Sequence, residues 1–412
     1  ATTARLSLKR KSCLNPNSRL IAIDLARGIA MLGVALVNVH AFALSWSVHY
    51  ALDLAAQPWD VAAEYVVATL FTHRSYPVLA FLFGAGVAMQ WGRLPEPTRQ
   101  PRDLRPRFWA LLVLGIAHGL ILWPGDVLST YAIVGLVSVG LLKSRTHRIG
   151  AVSIVVFVVA AMLYLVLGLS QIFSAEAPRP WPWPEATSFA IDSWRETLTA
   201  HPGEYAERGL AQILVIDMWA FFALGMWAHL TGALQRFVAD PFAKPMLAAA
   251  GAVLLFAGTG TEYYAATQGG WDAKTYTELG SGWMSVALLP ASLGGLWFWL
   301  TIGSLWSVRG GSTRGVKSLV IATGRAPLTQ FFGQSIVFAI LFNKSLIGWH
   351  GELGRFAYSM IAVVTYILLS GFIRAWLASG HAHGPMETLW RGLTRRFSPP
   401  RLDKSPVEST PS

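Results

Sequence analysis

Read for its alternation of apolar and polar positions, the chain is a series of long apolar runs separated by short polar loops. The first usable run extends from Gly28 to Trp46, within the stretch Arg19 to Tyr50. It has the length a membrane-spanning helix needs, roughly 20 mostly apolar residues. Further runs follow at Val61–Met89, interrupted by His73-Arg74, then at 108–123, Val127–Leu142 and Ile149–Leu169. The later ones are Leu210–Leu230, Pro245–Thr261, Trp283–Trp306, Ser318–Phe342 and Phe356–Ala378. An Arg at position 74 inside a span is costly unless it is paired or near the interface, so a kinked or re-entrant element is expected there. The pattern predicts an all-α polytopic membrane protein, a bundle of about ten transmembrane helices.

Charge orients the bundle. The loops bearing Arg93, Arg99, Arg102, Arg105 and Arg107, then Lys143, Arg145 and Arg148, then Arg236 and Lys244, then Arg309, Arg314 and Lys317, are short and basic. Cytoplasmic loops concentrate Lys and Arg in this way, which predicts both termini in the cytoplasm and a multi-pass protein of the bacterial inner membrane. Residues 1–18 then form a cytoplasmic tail, 19–378 the membrane domain and 379–412 a basic cytoplasmic tail. The first run is too long and too polar for a cleaved signal. The longest polar segment, 171–208, contains Pro-Arg-Pro-Trp-Pro-Trp-Pro and then an amphipathic stretch, Ser188 to Thr199. It is expected outside, where it could cap a cavity.

Composition agrees with this reading. Of 412 residues, 53% are hydrophobic and only 13% charged, with a mean hydropathy of +0.45, whereas soluble domains carry about 25% charged residues. The net charge of +11 is explained by the inside loops, so no nucleic-acid partner is expected. The single cysteine, Cys13, excludes an internal disulfide and a cysteine metal cluster.

Polar groups inside the apolar runs carry the candidate chemistry, because ionisable residues there are expensive to keep. Asp24 and Arg27, one turn apart, can pair on one face of the first helix. Arg27, Asn38 and His49 recur every eleven residues, which at ~100° per residue returns to within about 20° of one stripe. That stripe serves either as a polar path or as a hydrogen-bonding seam between helices. His40 lies off it and reads as structural. His118 and Asp126 flank a Pro-Gly turn. They suit either an imidazole base held by a carboxylate or a lone His beside an N-capping Asp. In the C-terminal tail, His381 and His383 have no further metal ligands around them, so no metal is expected. Trp390, Arg391, Arg395 and Arg396 fit phosphates or lipid headgroups. No P-loop, GxSxG or HExxH motif occurs.

The segments IAIDLARGIAMLGVALVN, FLFGAGVAM, HGLILWPGDVLSTYA, ATGRAPLTQFFGQS and HGPMETLWRGL stand in this order. Together they resemble the bacterial YeiB-like family over about Asp24 to Leu393. That family, described as a domain of unknown function, is grouped with transmembrane acyltransferases such as the lysosomal heparan-α-glucosaminide N-acetyltransferase. The resemblance implies transfer of an acetyl or short acyl group from cytoplasmic acyl-CoA, a co-substrate, to a hydroxyl or amine of a saccharide or small metabolite. It places a catalytic His eleven residues after the first-span Asn, at His49. The polysaccharide O-acetyltransferases carry theirs eleven residues after the motif Arg, where this chain has Asn38. On this reading Asn38 steadies the developing oxyanion. Arg27, with Arg325 and Arg391, holds CoA phosphates, and Asp24 orients Arg27. His118 and Asp126 support the base or replace it. Membrane lipids are expected neighbours and homodimerisation is left open. The competing reading is a transporter or flippase for a small polar or lipid-linked molecule.

Overall fold

A computed structural model describes residues 16–44, 57–96, 99–172, 187–213, 215–239, 246, 249–253, 281–308 and 315–398. Among these residues regular structure is entirely helical. The helices are α1 (Pro16–Ala43), α2 (Pro58–Leu70), α3 (Ser75–Trp91), α4 (Arg105–Ile121), α5 (Leu128–Ser138), α6 (Thr146–Ile172) and α7 (Trp194–Ile213). They continue as α8 (Ile216–Leu230), α9 (Ala233–Ala239), α10 (Ser281–Val308), α11 (Val316–Arg325), α12 (Pro327–Phe342), α13 (Arg355–Ala378) and α14 (Pro385–Phe397).

Five described stretches are long and apolar enough to cross a membrane: Ile21–Ala43, Pro58–Trp91, Pro101–Ile121, Thr146–Val166 and Arg355–Ala378. Three shorter apolar helical stretches, Leu128–Lys143, Ile216–Leu230 and Pro327–Phe342, accompany them. Helix α13 ends where the apolar run ends, at Ala378. Most of the expected span at Pro245–Thr261 and the loop after it lie outside the described residues, as do nearly all of tail 1–18, residues 399–412 and His49.

Three expected spans are broken rather than continuous. The second divides between α2 and α3 at residues 71–74, where His73 adopts a φ of 57°, a left-handed conformation that non-glycine residues rarely take. This realises the interruption expected at His73-Arg74, and the Arg74 side chain is fully buried. The run Leu210–Leu230 was expected as one span. Instead, α7 carries the amphipathic stretch onward to Ile213, and α8 starts only at Ile216 after Val215 leaves helical geometry. The run Ser318–Phe342 also divides. Ala326, at φ −132° and ψ 59°, is not helical, because a residue before proline is pushed out of the α region. Pro327 then begins α12 at a position where its missing N–H costs nothing.

Helix α1 is the hub. It packs against α10, α11, α12, α13 and α3, and its apolar run is mostly buried. Helix α6 is the opposite case. Ile154, Val155, Val158, Val159, Met162 and Val166 are exposed on it, the surface a helix presents to lipid rather than water. Close backbone approach is built from glycine pairs. A Cβ added at Gly28 would run into the Val320 carbonyl, and one added at Gly324 into the Asp24 carbonyl. Small residues allow helices without a hydrophobic drive between them to pack backbone on backbone. The pair therefore fixes how α1 and α11 cross.

Candidate functional site

Two polar clusters lie at different depths along α1. The first is at its N-terminal end. Arg27 Nη1 stands 3.6 Å from Asp24 Oδ1 and donates to the Gly324 carbonyl at 3.0 Å, so the expected i,i+3 pair is present and tied to α11. Arg325 acts electrostatically on Asp24, and Glu387 on Arg27. Arg391 and Arg325 both lie near His383, whose imidazole is held below its ordinary value, first by burial and then by these two cations. The structure thus brings Asp24, Arg27, Arg325 and Arg391 into one neighbourhood, with Arg325 and Arg391 exposed to solvent.

Helix α14 closes this end. Within the segment expected as a basic cytoplasmic tail, α14 is a docked amphipathic helix. Met386, Trp390 and Leu393 pack on the core. The Trp390 indole donates to the Arg107 carbonyl at 2.8 Å, and the Arg107 guanidinium lies 4.5 Å from the indole ring centre. Glu387 reaches into the start of α12. Its carboxylate accepts from Leu328 N at 2.7 Å, Thr329 N at 3.2 Å and Thr329 Oγ1 at 2.6 Å. These N–H groups have no partner within α12, because the first turn of any helix leaves its donors open. His381 stacks on Trp376 at 3.9 Å between ring centres and shares a contact with Ser379.

The second cluster surrounds His118 and Asp126, both fully buried. His118 Nδ1 lies 3.0 Å from Asp126 Oδ1, not aligned as a straight hydrogen bond. The other carboxylate oxygen accepts from Ser129 N at 2.9 Å and Ser129 Oγ at 2.8 Å. The nearness of the two groups and the capping role expected of the Asp are both present. Asp126 caps the start of α5 with one oxygen and faces the imidazole with the other. Among the described residues His118 Nε2 has no hydrogen-bond partner. The ring is walled by Phe331 at 4.8 Å and Phe332 at 5.1 Å, and by Trp123 at 6.5 Å.

Helix α7, in the second part of the segment expected as an outer loop, packs over this cluster. The Tyr205 ring leans on Gly119 and its hydroxyl bonds Ser129. Gln212 donates to the Gly125 carbonyl at 3.2 Å, and His201 Nδ1 lies 3.1 Å from the Leu120 carbonyl. Glu204 anchors the turn before α7 through Ser188 N at 2.5 Å and Ser188 Oγ at 3.1 Å.

Asn38 lies on α1 with its Nδ2 buried and unpartnered. His40 is structural, as expected: it is buried and its Nδ1 faces the Leu36 carbonyl at 2.9 Å. A third polar group escaped sequence reading. Fully buried Asp217 accepts from Tyr76 at 2.5 Å and Tyr164 at 3.0 Å, beside Ser292, which donates to the His73 carbonyl at 3.0 Å. An Asp within an apolar run is the signal that would have found it.

Among known proteins, residues 212–397 match the family described as "Protein of unknown function (DUF418)". The chain is 25% identical over 421 residues to "Uncharacterized protein YeiB" of Escherichia coli (strain K12), an alignment covering 94% of this chain and 99% of that protein. It is 22% identical over 408 residues to "Uncharacterized protein YxaH" of Bacillus subtilis (strain 168), covering 95% and 98%.

Proposed function

Starting from a chain of the YeiB-like family, we propose that it is an inner-membrane acyltransferase. It moves an acetyl or short acyl group from cytoplasmic acyl-CoA to a hydroxyl or amine of a saccharide or small metabolite. The observation that carries this reading is the buried His118, with Nδ1 turned to Asp126 and Nε2 open. A carboxylate 3.0 Å from Nδ1 favours the proton on that nitrogen and leaves the lone pair on Nε2, which is the form a general base needs. His118 Nε2 would take the proton as the acceptor oxygen or nitrogen attacks the thioester carbonyl. The acyl–sulfur bond breaks and the proton passes to the departing thiolate. Asn38 is the amide available to the developing oxyanion. Arg27, Arg325 and Arg391, oriented in part by Asp24, supply the charge that CoA phosphates require.

The test is binding and slow hydrolysis of acetyl-CoA by purified protein, with His118→Ala, Asp126→Asn and His49→Ala beside the wild type. A general base contributes about 10²–10⁴-fold, so His118→Ala should lose at least about 100-fold in turnover with binding retained. Loss in His49→Ala alone would move the base to the position the family resemblance implies. Absence of acetyl-CoA binding would sink the enzyme reading and favour the transporter. The observation favouring that second reading is the breaks at 71–74, 215 and 326, since discontinuous helices line transport sites.

A further inference from the structure

Gln330 and Gln334 are fully buried on α12, yet among the described residues neither carboxamide has a hydrogen-bond partner on either its oxygen or its nitrogen. Buried polar groups are almost always satisfied, so two adjacent ones left open mark a place where something polar binds. One turn separates them, so they share a face, about 6 Å apart along the axis.

The surroundings say where that face leads. Helix α12 begins beside the Asp24–Arg27 cluster, since Gly324 accepts from Arg27. Its far part meets the far part of α1, where Phe338 packs on Phe42 at 5.6 Å. The two helices therefore run side by side in the same direction. Asn38 is one turn before Phe42 and Gln334 is one turn before Phe338. Contact between the two rings thus puts Asn38 and Gln334 along a common seam, with Gln330 one turn nearer the Arg27 end. The α1 positions on this face between Arg27 and Asn38 are Met31 and Ala35, which bring no polar group and leave the amides unmet. Phe331 and Phe332, the rings that pack on His118, lie about 100° and 200° around α12 from Gln330, so His118 adjoins the flank of this helix rather than the face of the glutamines.

We propose that Asn38, Gln330 and Gln334 form a binding seam for the pantetheine arm of acyl-CoA, running between α1 and α12 from the Arg27 cluster to Asn38. The inference rests on the acyl-CoA reading above and adds to it the residues that hold the arm. A pantetheine arm is extended and apolar except for two amides separated by a short alkyl spacer and one hydroxyl beside the second amide. Such a ligand suits a narrow seam of unmatched carboxamides, each able to donate and accept.

The experiment compares purified full-length protein with the double variant Gln330→Leu/Gln334→Leu. Binding is titrated with acetyl-CoA and, separately, with the phosphoadenosine fragment that lacks the arm. Leu keeps the volume and removes only unmatched polar atoms, so the ligand-free melting temperature should hold or rise. The double variant should bind acetyl-CoA at least about tenfold more weakly and the fragment as well as wild type does. Equal acetyl-CoA affinity in both proteins overturns the seam while leaving the acyl-CoA reading in place. Equal losses for both ligands also overturn it, since the arm would then make no separate contribution. Wild type that binds neither ligand overturns the acyl-CoA reading and the seam with it.

Discussion

Glu387→Ala tests how the C-terminal helix is joined to the bundle. The carboxylate is largely buried and accepts two backbone N–H groups and one hydroxyl at the start of α12. Loss of an N-cap costs about 0.5–2 kcal/mol, and leaving the Thr329 hydroxyl without its acceptor costs about 1–3 kcal/mol. Against this stands the release of a buried carboxylate. Burial is the first cause holding Glu387 above its ordinary value, outweighing the hydrogen bonds that pull it down. The net expectation is a loss of about 2–3 kcal/mol. At about 2 °C per kcal/mol for a large domain, the melting temperature in detergent should fall by about 4–6 °C.

The same variant should expose α14 to protease, because Met386, Trp390 and Leu393 would hold the helix without its polar anchor. The pH dependence has a definite sign. A folded state that binds the proton more tightly than the unfolded one is most stable below the ordinary carboxyl value of 4.5 and loses that contribution as pH rises through the raised one. Glu387→Gln, neutral at every pH, should flatten this slope and cost less than the alanine variant. An alanine variant with wild-type melting temperature and wild-type protease protection would refute the assignment of Glu387 as the anchor.

Two further outcomes follow from the packing. Gly324→Ala places a methyl against the Asp24 carbonyl and strains the Arg27–Gly324 bond. It should cost about 1–3 kcal/mol as an overpacking substitution and weaken acetyl-CoA binding, and a variant with unchanged melting and binding would contradict the crossing described. His350, in the segment before α13, contacts the Phe42 carbonyl at 3.0 Å and is held below its ordinary value, first by burial and also by Lys344. Its folded form therefore binds fewer protons than the unfolded chain, and its contribution is present above the ordinary value of 6.5 and lost as pH falls below it. Melting curves taken at several pH values through that range should show the loss in wild type and a smaller one in His350→Gln.

What the sequence made legible was what depends on local spacing. The Asp24–Arg27 pair is one turn apart, and His118 and Asp126 are brought together by the Pro-Gly turn between them, so neither needs knowledge of a distant element. The end of α13 was readable because hydropathy falls where helical structure does. The break at 71–74 was marked by His73-Arg74, whereas the other two fall within stretches expected as single spans. Pro327 is the local signal of the break at Ala326, in the polar opening of its run, Ala322 to Gln330. The break before α8 carries no proline, and no local cue marks the end of α7 at Ile213.

Long-range polar pairing is what the sequence hides. Glu387 lies in the first turn of α14, where an acidic residue is ordinarily explained by its own helix dipole. Its partners are instead the open donors of α12. Arg355 pairs with Glu64 at 2.8 Å, and Asp60 accepts from Phe356 N at 2.8 Å, so α2 holds the start of α13 from far away in the chain. In each case a carboxylate from one element satisfies groups on another that the second element cannot satisfy itself. In a bundle without water to solvate them, such groups must be met across elements. Where the protein does meet them, as at Glu387 and Asp60, the contact holds the fold together. Where it does not, single groups such as those of Thr187, Ser304 and Ser359 stand apart, without a partner among the described residues, whereas Gln330, Gln334 and Asn38 line up along α12 and α1. That alignment of three carboxamides, rather than the lack of partners by itself, distinguishes a ligand path from scattered imperfections of packing.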